Sequence, residues 1–386
     1  MQKSVCKWML LSLCSWMFLA SCTDSDYDLN DVTKDGMVIG EVLSGGLGHG
    51  SISAEKFLNA ADDKKTDWLK VKDGNYVISY KDSVKVSLDY DVPAGAIGDL
   101  GRTFPIVKQS VKLKGLDELF QGDSNVLSFV DPRVKLTAYS KAGTPLNVNL
   151  TFESVNESNG KKAETNVNFR LNDPASPFPK IDTSKIWIGA DLLTMERGYK
   201  HTPNYKLNDL LNITPSLINL SGSITTDVTP TSKGAYTQII YEVEVPLAPS
   251  PSPLFKAKIS ETMEDVFSED LIDLLFASGE VELLGTVSNG MPLDLSLNLI
   301  ITDEKGKPVG IDFEKQAIGS FASKAPVSFI ITENDIRKKM AEAKGIILEF
   351  EATGSEKAEG RCIRPDQKVE LVLNFKKTGG IKIDTL

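Results

Sequence analysis

Histidine and cysteine are nearly absent: two and four residues in a chain of 386. His49 and His201 stand far apart in the sequence, so a histidine-rich metal site or a histidine-centred catalytic relay has almost no raw material. A small disulfide-stapled scaffold is excluded by the same scarcity. Long apolar runs are missing too. Trp8 to Ala20, broken by Ser12, Cys14 and Ser15, is the longest, well short of the roughly 20 residues a membrane-crossing helix needs. There is no basic excess either: 43 Lys and Arg face 53 Asp and Glu, a net charge of −10. That balance argues against nucleic acid as a partner.

What is present begins with an address. Lys3 and Lys7 precede the apolar run with no acid among them, the pattern of a secretory signal peptide. The run ends Leu19-Ala20-Ser21-Cys22, which resembles the lipobox of bacterial lipoproteins. That resemblance implies cleavage before Cys22 and acylation of Cys22, which would become the first residue and anchor the chain to a membrane through lipid. Removing residues 1–21 takes two lysines and no acid, leaving a charge of about −12. Asp24, Asp26, Asp28 and Asp31 then precede the first lysine, Lys34. This acidic tether, with its Asp-Tyr-Asp-Leu at 26–29, resembles that of Bacteroides-type outer-membrane lipoproteins and implies display at the cell surface. Asp24, Asp26 and Asp28 have the spacing of calcium-loop ligands, but Leu29 stands where the loop needs glycine. No metal site and no cofactor is expected.

The body of the chain repeats itself. Shifted by 147 residues, Leu116 to Leu150 aligns with Met263 to Leu297 without a gap. Val134/Val281, Leu136/Leu283, Pro145/Pro292, Leu146/Leu293 and Leu150/Leu297 are among ten identities. A shorter match at shift 153 pairs Tyr90–Pro93 with Val243–Pro246, and Gly74-Asn75-Tyr76 echoes Gly234-Ala235-Tyr236. Leu146, Val148, Leu150 and Phe152 alternate with Asn147, Asn149 and Thr151, and Leu293 to Leu299 alternate with Asp294, Ser296 and Asn298. That period of two belongs to half-buried antiparallel strands. Strands are also expected at Trp68 to Lys72, Asn75 to Tyr80, Ser83 to Val92, Gln238 to Val245, Ala325 to Ile331, Ile346 to Thr353 and Lys368 to Phe375. Turns fall at Asp73-Gly74, Asn159-Gly160 and Lys305-Gly306.

Helices are few. Apolar spacing suggests one from Met263 to Leu275, Asn334 and Gly345 bracket another at Asp335 to Lys344, and Ala54 to Ala61 suits a third. The expected fold is mainly β: two tandem, duplicated, antiparallel β-sandwich-like domains with a few short helices. The divisions are a signal peptide at 1–21, the tether at 22–35, a first domain at 36–230 and a second at 231–386. The proline-rich stretches 173–179 and 246–253 are expected to be extended and exposed.

Candidate chemistry is thin. The run Ser44 to Ser51, with four glycines around His49, lacks the Lys-Ser/Thr of a phosphate loop and is expected to be a flexible linker. His201 belongs in a polar turn. Cys362, the one thiol left in the mature chain, is flanked by Arg361 and Arg364, which would lower its pKa if they pack beside it. Asp82-Ser83-Val84 resembles the Bacteroides O-glycosylation motif, making Ser83 a candidate for modification. Trp68, Tyr76, Trp187, Tyr199, Tyr205 and Tyr236 could stack on sugars or fill the core. No catalytic residue is singled out. These features suit a non-enzymatic surface lipoprotein that binds a glycan or a protein. The alternatives are a fimbrial or adhesin-like subunit, whose first strand would be removable from domain one, and a secreted hydrolase using a carboxylate pair.

Overall fold

The computed structural model describes residues 37–39, 42–58, 67–88, 101–113, 116, 127–142, 144–172, 183–227, 234–251, 256–276, 279–332, 339–379 and 381–383. The signal peptide, Cys22, the acidic tether, Tyr90 to Pro93 and the prolines at 174–179 lie outside these residues.

The described chain is mainly β and forms two sandwiches. The first stacks two sheets. One contains β3 (Leu69–Lys72), β4 (Asn75–Ser87), β6 (Arg133–Ser140), β9 (Thr183–Gly189), β10 (Lys200–Pro203) and β12 (Tyr236–Pro246). Its spatial order is β10-β9-β6-β12-β4-β3. The other joins β5 (Arg102–Lys112), β7 (Leu146–Val155), β8 (Lys162–Leu171) and β11 (Leu217–Thr226) in the order β5-β11-β7-β8. The second sandwich has β2 (Val42–Ser53), β14 (Val281–Asn289), β17 (Ala325–Ile331) and β19 (Lys368–Thr378) in the order β17-β14-β19-β2. Facing it are β13 (Lys256–Met263), β15 (Leu293–Thr302), β16 (Gln316–Ile318) and β18 (Gly345–Gly354), ordered β13-β18-β15-β16. Short β1 (Met37–Ile39) and β20 (Ile381–Ile383) pair with each other near the chain ends. Every strand pair is antiparallel except β9 with β10.

The duplication is therefore real, and it is nested. The 147-residue shift superposes β6 and β7 on β14 and β15. From there the sheets correspond strand for strand: β9-β6-β12-β4 matches β17-β14-β19-β2, and β5-β11-β7-β8 matches β13-β18-β15-β16. The counterpart of β4 is thus β2, which comes before the whole first sandwich in the chain. Two boundaries drawn from sequence change accordingly. Residues 42–53, expected in the first domain, pair with β19 of the second, and β12, expected in the second, is a central strand of the first. The shift-153 match and the Gly-x-Tyr echo are not repeat equivalences, since Tyr76 and Tyr236 stand on adjacent strands of one sheet.

Period two fixes the cores. Leu146, Val148, Leu150 and Phe152 are buried while Asn147 and Asn149 are exposed, and Leu293, Leu295, Leu297 and Leu299 are buried in the second copy. Each such leucine contributes about 1.5–3 kcal/mol by leaving water. One apolar cluster lies wholly in the first sandwich. The other fills the second sandwich and continues into the first through Trp68, Tyr76, Ile78, Val245 and Leu247. The junction is hydrogen-bonded as well: Tyr76 N donates to Ile363 O at 2.9 Å and Ile363 N to Leu247 O at 2.8 Å. Leu247 to Ser250, expected to be exposed, are buried here because Phe129, Val130 and the 363 segment clamp them. Gly354 is required at this contact, since a Cβ there would lie 1.7 Å from Ser250 O.

The helices are shorter than the sequence suggests. Ala54–Leu58 is helical (α1), as is Asp209–Asn212 (α2). Met263 ends a strand, and Asp265 takes a φ of 52°, so the third helix (α3) starts only at Glu269 and runs to Phe276. Residues 333–338 lie outside the described set. Of the rest of that expected helix, Met340–Glu342 is a single 3-10 turn, and Gly345 opens β18 instead of capping. The glycine-rich run expected as a linker is the strand β2. Its glycines make room for neighbours: a Cβ on Gly45 would lie 2.7 Å from Phe375, and one on Gly48 2.8 Å from Met263.

Candidate functional site

The solvent face of the β5-β11-β7-β8 sheet is an array of small polar side chains in register. Asn149 of β7 stands between Asn168 of β8 and Ser223 of β11. One row along, Thr151 stands between Asn166 and Ser221, and in the next Glu153 lies between Glu164 and Asn219. At the other end Asn147 is flanked by Arg170 and Thr225. Asparagine is depleted in strands because its side chain competes with the ladder for backbone hydrogen bonds. Five of them on one sheet face contradict local preference, and such contradictions concentrate at functional sites.

The rim of this face is engaged. Thr151 donates to Asn166 at 2.6 Å, Ser110 donates to Asn219 at 2.7 Å, and Asn219 donates to Glu153 at 2.9 Å. Hydrogen bonds from Asn219 and Lys108 hold the Glu153 carboxyl below its ordinary range, so it is a fixed anion. Thr103 and Thr225 hydrogen-bond at 3.3 Å, and Asn147 reaches Asp227. The centre differs. Asn149, Asn168, Ser221 and Ser223 make no side-chain hydrogen bond to another described residue. Each amide offers two donors and an acceptor on a flat, rigid platform. Only Asn147, Asn149 and Thr151 were visible beforehand as the wet face of a strand.

The equivalent face of the second sandwich is charged. Glu349 and Glu351 occupy the positions of Ser221 and Ser223, and with Lys258, Ser260, Asn298 and Lys315 they line an open depression of about 110 Å³. Lys315 and Lys258 pair with Glu351 at 2.9 and 3.4 Å. The hydrogen bond from Lys315 outweighs partial burial and holds Glu351 below the usual carboxylate range. A glycosidase's general acid needs the opposite shift, so Glu351 is not held as one.

The densest charge cluster lies on the solvent side of the six-stranded sheet near the junction. Glu244 has no exposed side-chain surface. It pairs with Lys135 at 2.6 Å, Arg133 at 3.2 Å, and Lys72. Burial alone would raise its pKa, but Lys135, Lys72 and Arg133 bring it down to about 2. Burial likewise opposes the charge on Lys135, and Glu196 and Glu244 more than restore it. Arg133 also pairs with Asp131 at 2.8 Å and lies 5.2 Å from the buried Trp187 ring. Three anions face three cations here, a structural network.

The other candidates separate. His49 is exposed on β2, while His201 in β10 hydrogen-bonds Gly189 O at 2.9 Å, a structural contact in place of a surface turn. Cys362 is half-buried and burial pushes its thiol up, with Arg133 partly opposing. Arg361 stacks on Phe321 and Arg364 pairs with Asp366, so neither activates the sulfur. Ser83 is exposed on β4. Trp68, Tyr76 and Trp187 are buried, and Tyr205 is 78% exposed. Among the described residues no three His, Cys, Asp or Glu side chains gather as a metal site, and no helix is long and apolar enough to cross a membrane.

A crystal structure of a protein from Parabacteroides distasonis ATCC 8503, described as secreted, shares the fold. It is 31% identical with a TM-score of 0.72, over 88% of this chain and 100% of that one. The tandem CBM22-1-CBM22-2 domain of Paenibacillus barcinonensis Xyn10C matches at 11% identity over 90% of this chain and 99% of that one, with a TM-score of 0.18, too low to carry an inference. No curated protein matches. A family model covers residues 27–383, and the chain belongs to that family, described as Protein of unknown function (DUF4621).

Proposed function

We propose that this chain is a lipid-anchored outer-membrane protein whose first sandwich binds an uncharged, hydroxyl-rich glycan across the β5-β11-β7-β8 face. The observation that carries this function is the unpartnered centre formed by Asn149, Asn168, Ser221 and Ser223. A sugar presents neighbouring hydroxyls that each donate and accept, and amides and hydroxyls fixed on one plane answer both. The neutrality of that centre, against the charged face of the second copy, favours a ligand without carboxylate or phosphate.

The anchor is supported by Leu19-Ala20-Ser21-Cys22, by the acidic tether, and by the relative described as secreted. Fourteen residues lie between Cys22 and Met37, a reach of about 50 Å when extended. Replacing Cys22 with Ser should move the protein from the membrane to the released fraction. Retention in the membrane would refute the lipid anchor.

Binding is tested by titrating neutral polysaccharides into the chain from Thr23 to Leu386 in a calorimeter. Asn149→Ala with Asn168→Ala should weaken the best binder about tenfold, because each lost hydrogen bond is worth roughly 0.5–1.5 kcal/mol. Both side chains are exposed, so the melting temperature should hold. Unchanged affinity in the double variant would refute this face as the site.

A further inference from the structure

Among the described residues, strand β2 is the longest edge of the two sandwiches without charge or proline. It spans Val42–Ser53, and among the described residues it pairs on one side only, with β19. Native edges are blunted with charge, proline or bulges because an open ladder recruits another strand. The other long edges follow that rule, and the uncharged β16 is only three residues long. β5 carries Arg102, Pro105, Lys108 and Lys112, β8 has Lys162, Glu164 and Arg170, β13 has Lys256, Lys258 and Glu261, and β17 has Pro326. Over twelve residues β2 has no charge and no proline, and its one interruption is a bulge at Leu47, where the pairing with β19 slips by a residue. The repeat supplies an internal comparison. In the first copy the equivalent strand, β4, is covered along part of its outer side by β3 and carries Lys81, Asp82 and Lys85. Both protections are missing in the second copy.

The occupant is written in the strand itself. Ser44-Gly45-Gly46-Leu47-Gly48-His49-Gly50-Ser51 has mirrored ends, Ser-Gly at 44–45 and Gly-Ser at 50–51, around a centre that does not match. Turned antiparallel on itself about the Leu47–Gly48 bond, it sets Ser44 opposite Ser51, Gly45 opposite Gly50, and Gly46 opposite His49. This register also respects the faces. Ser44, Gly46, His49 and Ser51 are exposed, whereas Gly45 and Gly48 abut Phe375 and Met263 on the core side. A two-fold interface must be self-complementary, and two copies of a net-acidic chain meet with least repulsion along a neutral edge.

We infer that β2 is a homotypic docking edge, on which a second copy of this chain pairs its own β2 antiparallel to make one eight-stranded sheet. The two tethers would then leave from opposite ends of the joined sheet, the geometry of a contact between copies on facing surfaces.

Sedimentation of the chain from Thr23 to Leu386, which keeps every described element, tests this. The wild type should show a monomer–dimer equilibrium in the micromolar range. Gly46→Lys puts a cation on the edge, and a Cβ there meets only Asn374 Oδ1 at 3.8 Å, so the fold should persist. It should weaken the dimer at least about tenfold. Ile330→Lys on the opposite edge strand, where Ile330 is already 58% exposed, should leave it intact. A wild type that stays monomeric at the highest concentrations, or a dimer that tolerates Gly46→Lys, would overturn the inference.

Discussion

Residues 23–230 and 231–386, produced as separate chains, will both fail to fold. The cut lies where the sequence repeat suggests a domain boundary, yet it removes β12 from the middle of the first sandwich, between β6 and β4. Ile239, Tyr241 and Val245 leave the core with it. The same cut takes β19 away from β2. Because one apolar cluster runs through both sandwiches, the intact chain should instead unfold in one cooperative transition. Circular dichroism melts of the fragments and of the whole chain decide this. A fragment with its own sharp melt would show that the nested topology is not needed for stability.

Glu244→Ala is the point substitution expected to do most damage. It leaves Lys135, only 6% exposed, and the mostly buried Arg133 with too little negative charge. Breaking a buried pair from one side costs about 3–5 kcal/mol, which in a chain of this size lowers the melting temperature by roughly 5–10 °C. Combining Glu244→Leu with Lys135→Met should lose less, because neither member of that pair is then stranded. The network also predicts the acid limb. A carboxyl at about 2 in the folded chain, against 4.5 ordinarily, favours folding above pH 4.5. That contribution, on the order of 3 kcal/mol, fades as pH falls from 4.5 towards 2. Scanning calorimetry of wild type and Glu244→Gln against pH provides the check. Parallel curves between pH 5 and 2 would refute the assignment.

Alternation made the strands at Leu146–Val155 and Leu293–Thr302 legible, since half their residues are leucine, valine or phenylalanine on one side. It could not reveal β2, where Gly45, Gly48 and Gly50 interrupt the apolar Leu43, Leu47 and Ile52 that pack on the core. A strand that packs partly by receiving its neighbours' side chains leaves only a broken hydrophobic pattern of its own. The nested order was hidden for a related reason: strong sequence identity survives only around β6–β7 and β14–β15, and β4 and β2 share almost none. Of the polar face, Asn147 and Asn149 were readable. Asn166, Asn168 and Asn219 join them only through register with β8 and β11, which is a property of the sheet and not of any segment.

Nesting also has a mechanical meaning. The chain reaches the first sandwich by running up β2 and through α1, so a pull between the N-terminal tether and the first sandwich passes along one extended strand. At about 3.3 Å per residue, β2 is already near its full contour length, and tension can stretch it little. The second sandwich lies beside this line of force, clasped to it by the β19 ladder, and not in series with it. A load on the first sandwich would therefore be transmitted stiffly towards the N-terminal side of β2, with the second sandwich acting as a splint.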